Sequence, residues 1–519
     1  MKAFLGIDLG TSAIKALLMA EQGSILALGS SEVAFTVPRP AFAEQNPNDW
    51  WDASVAAVRQ AIAACGEKPE IAGIGVSGQM LGSVLVDKNG MADEHCIIWM
   101  DQRASRERDF IENKLGLEFI LDRTANYPLV SLWAPKLLWL RENEPERYGR
   151  IDKVLFPKDY LKYRLTGEYD IDVTDAPGTL LFNTAERRWD DDLFRALDIP
   201  RSFVPESLSE SAEVIGCLGR PAAEALGLPA GIPVVGGGGD QMCGAVGLGV
   251  VRSGVVSSAI GTSGCVFSHS DVCITDRKPR ALLSYCHSVS GAYSLFGCTL
   301  SAGGAYQWLR GAFFKNERVR WDTGGKKIYA FMDELAAAAA PGCEGLVFLP
   351  YLSGERTPYP DPDARGVFFG LSRRHGAAEF CRAVMEGVVY SLRDTVEIFR
   401  EHGLRTGEVR AAGGGSASPL WLQMQADIFN TPVLVTNVQE APAAGAAMLA
   451  AAGAGAYTDL GQAADNVVKI VRRCEPDGVR ARIYNDYYET YRALYPALRR
   501  LYASQARRVE KWGSSPEDA

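Results

Sequence analysis

FLGIDLGTSAIKALLM, residues 4–19, places a Gly-Thr-Ser triplet between two apolar runs. The apolar runs predict two buried strands, and the small and hydroxyl residues between them predict a tight turn. The same order returns in VVSSAIGTSGCVFSHS, residues 255–270. Because one pattern occurs twice, we expect two related halves that each present one short loop at the same structural position.

The residues around the first stretch predict both strands and helices. Residues 24–28 predict a third strand, and residues 71–79 predict a strand followed by a loop. Residues 48–65 have the apolar spacing of a helix, with Asn48 or Asp49 as its cap. This mixture favours an α/β fold.

Length and composition restrict the class of protein. A chain of 519 residues exceeds one hydrophobic core, so we expect about two to four domains. The net charge of −9 disfavours nucleic acid as a partner. The eleven cysteines include no Cys-x-x-Cys pair, which argues against a disulfide framework and a zinc site. With no signal-peptide pattern and no apolar run of about 18 residues, we expect a cytoplasmic protein without a membrane partner.

A glycine-rich stretch near the middle of the chain surrounds one carboxylate. VVGGGGDQMCGAVGLG, residues 234–249, contains Asp240 as its single acidic residue. Two interpretations stay open. A flexible linker uses glycine for its freedom, whereas a binding site uses glycine so that the backbone can approach a ligand.

The two Gly-Thr-Ser loops suit an anion, because small residues expose backbone N–H groups and hydroxyls add donors. One such loop is more typical of a tight hairpin, but two that face each other could hold the phosphates of one nucleotide. Asp8, just before the first loop, is placed to bind Mg²⁺ or to form an Asx-turn. Lys15 either reaches phosphate or points to solvent. Gly303 and Gly304 either approach a nucleotide or simply begin a helix.

The sequence resembles the FGGY family of carbohydrate kinases. The resemblance lies in GIDLGTSAIK (6–15), GGGGDQMCGAVG (236–247), IGTSG (260–264), FLPYLSGERTP (348–358) and GVFFGLSRRHGAAEFCRAVMEG (366–387). It implies an α/β fold of two ribonuclease-H-like (actin/hexokinase-type) domains around a central cleft. Residues 1–249 would carry the sugar side and the first phosphate loop, and residues 250–505 the second phosphate loop and the adenine side. Residues 506–519 would form a polar, frayed tail.

The resemblance also implies roles for individual residues. Asp240 would be the catalytic base, and Asp8 and Asp240 would bind Mg²⁺. The residues implied for ATP are Thr11, Ser12, Lys15, Gly261, Thr262, Ser263, Gly303, Gln307, Gly414, Gly415 and Ser418. The residues implied for the sugar are Gln79, Met80, Leu81, Trp99, Asp101, Asp240 and Gln241. The cofactors expected are therefore ATP and Mg²⁺, the partner is a small sugar, and a homodimer is the assembly considered.

On the sugar side the sequence departs from the pattern of the family members that it resembles most, which phosphorylate D-xylulose. Those members carry Met-His where this chain has Met80-Leu81, and Trp-Asn-Asp where it has Met100 between Trp99 and Asp101. Leucine cannot hydrogen-bond a hydroxyl, and losing such a group relaxes or redirects specificity. D-Xylulose is the leading substrate, and another ketose, a pentitol or a deoxy-sugar is the alternative. Glycerol is disfavoured, because the Arg-Glu pair of glycerol kinases is absent.

Two interpretations from other classes remain. The phosphate loops alone also fit an actin-like ATPase that switches partners, and the fold would also fit a sugar sensor without catalysis. Asp240 in its glycine-rich setting and the sugar-side stretches favour a kinase over the switch. The presence of both Asp8 and Asp240 argues against the sensor.

Overall fold

The computed structural model describes residues 1–315, 317 and 328–512. The strands of the first half are β1 (Lys2–Leu9), β2 (Ala13–Ala20), β3 (Ile25–Glu32), β4 (Glu44–Gln45), β5 (Glu70–Gly78), β6 (Val84–Val86), β7 (Cys96–Ile97), β8 (Lys153–Leu155), β9 (Ile171–Asp172), β10 (Phe182–Asn183), β11 (Arg188–Trp189), β12 (Leu208–Ser209), β13 (Val214–Cys217), β14 (Pro233–Val235) and β15 (Gly238–Gly239). Its helices are α1 (Pro47–Ala64), α2 (Ser105–Leu115), α3 (Leu117–Thr124), α4 (Trp133–Asn143), α5 (Pro145–Tyr148), α6 (Pro157–Thr166), α7 (Asp191–Leu197), α8 (Arg220–Leu226) and α9 (Asp240–Gly247).

The second half continues the alternation of strands and helices. Its strands are β16 (Gly254–Ile260), β17 (Gly264–Ser270), β18 (Leu283–Cys286), β19 (Tyr293–Thr299), β20 (Val347–Leu349), β21 (Val367–Phe369), β22 (Thr406–Ala412), β23 (Val433–Thr436) and β24 (Ile470–Cys474). Its helices are α10 (Gly303–Phe313), α11 (Ile328–Ala338), α12 (Ala377–Glu401), α13 (Pro419–Phe429), α14 (Ala441–Gly453), α15 (Leu460–Val467) and α16 (Gly478–Trp512).

The two main sheets repeat one topology. The first has the order β13-β14-β5-β1-β2-β3, and the second has the order β18-β19-β17-β16-β22-β23-β24. In each sheet an antiparallel meander, β1-β2-β3 or β16-β17-β19, is followed by two parallel neighbours, β5 and β14 or β22 and β23. Both Gly-Thr-Ser triplets lie at the first hairpin of their meander. The prediction of two related halves is therefore confirmed.

Helix α14 joins the halves, because it packs on β1, β5 and α9 of the first half. The contact is so close that a side chain on the glycines of the first sheet would collide with the backbone of α14. A Cβ on Gly6 would overlap the carbonyl oxygen of Ala443, and one on Gly75 would overlap that of Ala446. Glycine and alanine at these positions let the backbones approach and bury apolar surface between the two sheets.

The glycine stretch before Asp240 is part of this packed interior. Residues 236–239 are buried, and Gly237 has a φ of 71°. A Cβ there would overlap the carbonyl oxygen of Val76. Burial and these close backbone contacts do not fit the loose, solvated chain of a flexible linker, and they favour the interpretation of close backbone approach.

Two predictions about helix ends are corrected. Helix α1 begins at Pro47, and the side chain of Asn46 accepts a hydrogen bond from the N–H of Asn48 at 3.0 Å, so Asn46 is the cap. Proline suits the first helical position because its missing N–H would be unpaired there anyway. Helix α16 continues through residue 506 to Trp512, so the first part of the expected frayed tail is helical. Residues 513–519 lie outside the described residues.

Candidate active site

The parallel strands β1, β5 and β15 place two carboxylates at one edge of the first sheet. Asp8 pairs in register with Ser77, and Ser77 pairs with Gly238. The Ser77 hydroxyl donates to Oδ1 of Asp8 at 2.9 Å. Asp240 follows β15 directly and begins α9. Because parallel strands end at the same edge, the two acidic side chains share one end of the sheet.

Both carboxylates are held in a state that resists ionisation. Burial and, to a smaller extent, the negative charge of Asp8 together raise the pKa of Asp240 to about 7. Burial likewise raises the pKa of Asp8 to about 6, against the hydrogen bond from Ser77 and the charge of Lys15. The amide of Gln241 donates to Oδ1 of Asp240 at 3.4 Å. A proton acceptor with a pKa near neutrality is matched to abstracting a hydroxyl proton.

A buried charged network holds the glycine stretch in place. The ammonium of Lys162 donates to the carbonyl of Gly236 at 2.9 Å, and the N–H of Gly239 donates to the hydroxyl of Thr174 at 3.1 Å. Lys158 lies among three buried carboxylates and pairs with each of them: Asp159, Asp172 and Asp175. The three acids therefore surround one ammonium group. The contacts of Lys162 and Thr174 hold the glycine stretch that leads into Asp240.

The first Gly-Thr-Ser loop is tied to the expected sugar side. The Thr11 hydroxyl accepts from Nε1 of Trp99 at 3.0 Å and lies 3.5 Å from Oε1 of Gln79. Gln45 donates to the Thr11 carbonyl at 2.9 Å and accepts from Gln79 at 2.7 Å. Ser12 is exposed. Thr11, which is implied for ATP, therefore contacts Gln79 and Trp99, which are implied for the sugar.

Two residues implied for ligands are engaged elsewhere. Lys15 Nζ lies 2.6 Å from Oε2 of Glu440, which precedes α14, so this lysine bridges the two halves. The Asp101 carboxylate is buried; it accepts from the N–H of Ala43 at 2.7 Å and from the guanidinium of Arg103. Each Asp101 oxygen already accepts at least two hydrogen bonds. The buried Asp101 carboxylate is therefore occupied by protein donors, whereas the partly exposed Lys15 ammonium keeps further N–H donors beside its pair with Glu440.

Leu81 lies at the start of the sugar side in a restricted conformation. Its φ is 69°, a left-handed value that is uncommon for leucine. The buried ammonium of Lys136 donates to the Leu81 carbonyl at 2.7 Å and fixes it there. The leucine side chain packs so closely on Gly178 that a Cβ on that glycine would lie 2.7 Å from Leu81 Cδ2. Met80 packs beside Gly239, next to Asp240.

The second loop lines a cavity of about 510 Å³ in the second half. It brings together seven of the residues implied for ATP: Gly261, Thr262, Gly303, Gln307, Gly414, Gly415 and Ser418. The start of α10 holds the loop, because the N–H of Gly303 donates to the carbonyl of Gly261 at 2.7 Å. A Cβ on Gly303 would lie 2.5 Å from that oxygen, so only glycine fits. Thr11, Ser12, Lys15 and Ser263 are not among the residues that line this cavity.

The cavity also has lining residues that sequence reasoning missed. Tyr306 stacks on Tyr329 with 5.9 Å between ring centres and donates to Oδ1 of Asp333 at 3.2 Å. Trp421 packs on Tyr306 at 5.4 Å. Helical spacing could have indicated Tyr306 and Trp421, because each follows a predicted ligand residue, Gly303 or Ser418, by three positions. Nothing local in the sequence indicates Asp333.

Comparison with known proteins decides the family. The model of the N-terminal domain of the FGGY family of carbohydrate kinases matches residues 3–247, and the model of its C-terminal domain matches residues 256–454. The chain belongs to the FGGY family of carbohydrate kinases. It is therefore an ATP-dependent sugar kinase with the two-domain, actin/hexokinase-like fold, and the interpretations as an ATPase switch or a sugar sensor are set aside.

The kinase is similar over nearly its whole length to xylulose kinases. It is 36% identical to the xylulose kinase of Staphylococcus epidermidis over 501 residues. The aligned residues cover 96% of this chain and 97% of that protein. It is 37% identical over 505 residues to that of Escherichia coli K12, covering 96% and 100%. The structure of a Rhodospirillum rubrum xylulose kinase superimposes with a TM-score of 0.89 at 30% identity, covering 97% and 100%. No helix within the described ranges has the length and apolar character to span a membrane.

Proposed function

We propose that this kinase transfers the γ-phosphoryl group of ATP to D-xylulose and forms D-xylulose 5-phosphate, with Asp240 as the general base. The observation that carries the proposal is the placement of Asp240. It begins α9 at the edge shared with Asp8, its neighbour Gly239 packs against Met80 of the sugar side, and its charge acts on Cys265 and Cys298 of the second half. A hydroxyl that reaches Asp240 is therefore positioned between the sugar side and the second loop.

The role of Asp240 follows from the chemistry of a sugar hydroxyl. Such a hydroxyl attacks poorly until its proton has an acceptor, and phosphoryl transfer otherwise needs mainly positioning and charge neutralisation. A carboxylate with a pKa of about 7 accepts that proton near neutral pH. The closely packed glycine stretch fixes the position of the acid, and the Gln241 amide donates to it.

Asp8 and Asp240 fit a magnesium ion. Both offer carboxylate oxygens, which this cation prefers, and the mutual repulsion that raises the pKa of Asp240 would be relieved by a divalent charge. Bound there, the ion would supply charge neutralisation to the phosphates. The cavity around Gly303 and Gly415 would hold the adenosine part of ATP, with Asp333 as a hydrogen-bond acceptor and Trp421 and Tyr306 as apolar walls.

A second candidate substrate rests on Leu81. Its apolar side chain stands where hydroxyl-reading relatives carry a polar one, which favours another ketose, a pentitol or a deoxy-sugar with fewer hydroxyls to satisfy.

A sugar panel tests the proposal. Coupled ADP release is measured with D-xylulose, other ketoses, pentitols, deoxy-ketoses, glycerol and gluconate, and the product of the preferred sugar is located by phosphorus NMR. We expect the highest kcat/KM with D-xylulose and phosphate on its O5. A clear preference for another sugar rejects D-xylulose while leaving the family intact.

A further inference from the structure

Two cysteines face each other on neighbouring strands close to the catalytic edge. Cys265, the second residue of β17, pairs in register with Cys298 on β19. Both are partly exposed, and both pack against the apolar interior that joins the two halves. They therefore lie on the sheet face that packs against this interior.

The backbone at this pair has the geometry that a disulfide requires. Cys298 directs its N–H and its carbonyl to Thr357 on the other side of β19, at 3.2 Å and 3.1 Å. Cys265 and Cys298 are consequently a non-hydrogen-bonded pair, in which Cα atoms of antiparallel strands lie about 4.5 Å apart. Disulfides span Cα separations of about 4.4–6.8 Å, so a bond would form with little movement of the backbone.

The surroundings favour a reactive thiolate at Cys298. The neighbouring Cys265 thiol and the positive charge of Arg356 lower the pKa of Cys298, against burial and the charges of Asp240 and Glu355. The neighbouring Cys298 sulfur and burial raise the pKa of Cys265, which keeps its proton. One thiol is thus prepared to attack, and the second lies beside it to resolve the product.

We propose that Cys265 and Cys298 form an oxidation site at which a peroxide makes a disulfide that switches the kinase off. The Cys298 thiolate attacks one oxygen of hydrogen peroxide, the O–O bond breaks, and the hydroxide released is protonated to water. The resulting sulfenic acid is attacked by the Cys265 sulfur, which gives up its proton as the S–O bond breaks and a second water leaves. Two thiols are oxidised to one disulfide, and one peroxide is reduced to two waters.

The disulfide would act on the second loop. Cys265 directly follows the loop at residues 261–264, and Cys298 leads by four residues to Ala302, whose N–H donates to the Thr262 carbonyl at 2.9 Å. A covalent bond between these strands fixes both segments that shape the loop.

The test treats the full-length protein with a small excess of hydrogen peroxide, blocks remaining thiols and searches the digest by mass spectrometry. We expect a peptide cross-linked through Cys265 and Cys298, a drop in sugar-dependent ADP release of at least about fivefold, and full recovery with dithiothreitol. Cys298→Ser and Cys265→Ser should resist inactivation, whereas Cys217→Ser, which removes an exposed cysteine of β13, should be inactivated like the wild type.

Phenylarsine oxide bridges adjacent thiols, so its binding to the untreated wild-type protein measures the pair directly. This measurement needs no variant and no sugar. We expect tight stoichiometric binding that prior peroxide abolishes. Absence of the cross-link, a cross-link without loss of ADP release, or equal inactivation of Cys298→Ser and Cys217→Ser would overturn the proposal. The cross-link and the binding of the arsenical are both measured without substrate. A failure of the proposed D-xylulose activity can therefore be distinguished from a failure of the cysteine site.

Discussion

Asp240 and Asp8 form a pair of mutually repelling carboxylates at the end of the first sheet. Burial, the larger cause, and the charge of Asp8 together raise the pKa of Asp240 to about 7. Strand β1, which carries Asp8, and strand β15, which leads into Asp240, both pair with β5, and this brings the two acids to one edge of the sheet. The fold thus holds an electrostatically unfavourable arrangement at the place where a hydroxyl must lose its proton.

This arrangement predicts a stability gain when the charge is removed. The pKa of Asp240 is raised from 3.8 to about 7, so the native state binds the proton more tightly and its stability falls as pH rises through that window. At about 1.4 kcal/mol per pKa unit, ionisation costs the native state on the order of 4 kcal/mol above pH 7. Asp240→Asn should therefore raise the thermal midpoint of the ATP-free and magnesium-free protein more at pH 8 than at pH 5.

Thermal unfolding in EDTA at the two pH values provides the measurement. Asp198→Asn is the matched control, because that side chain is 95% exposed and its loss should have the same small effect at both pH values. An Asp240→Asn protein that gains no more at pH 8 than at pH 5 contradicts the raised pKa.

The start of α10 offers a test of the nucleotide cavity. Gly303→Ala places a Cβ 2.5 Å from the Gly261 carbonyl, so the second loop must move. We expect the KM for ATP to rise by at least about tenfold, since small misplacements of binding groups are costly, with a smaller change in the KM for the sugar. Gly311→Ala lies in the same helix with no atom within 4 Å of the new Cβ and should leave the KM for ATP unchanged. Equal effects of the two substitutions would show that the loop is not held by Gly303.

Leu81 tests the sugar side. Leu81→His adds a hydrogen-bonding group at a left-handed position that histidine tolerates better than leucine. One added hydrogen bond is worth about 0.5–1.5 kcal/mol, so the KM for D-xylulose should fall by roughly two- to tenfold with little change in the KM for ATP. Leu81→Met keeps the apolar character and should leave both constants near the wild type. A higher KM for D-xylulose in Leu81→His would mean that the apolar side chain is itself part of recognition.

The parts of this molecule that the sequence predicted are those carried by local pattern. Two Gly-Thr-Ser hairpins were enough to indicate two matching sheets, whereas Gly414, Gly415 and Ser418 of the cavity wall were implied only by the family resemblance. Lys15 and Asp101 show the limit of such reasoning. The partner of Lys15 is Glu440, and the partners of Asp101 are Arg103 and the backbone of Ala43. Contacts between distant segments are set by packing, which no local pattern records, so a free ligand group could not be told from a paired one.

The central claim is that Asp240 accepts the proton of the attacking hydroxyl. The most direct test is the initial rate of D-xylulose-dependent ADP release at saturating ATP and Mg²⁺, compared between wild type and Asp240→Asn. We predict a fall in kcat of about a hundredfold or more, with ATP binding largely intact. An Asp240→Asn enzyme that turns over within a few-fold of the wild type would contradict the claim.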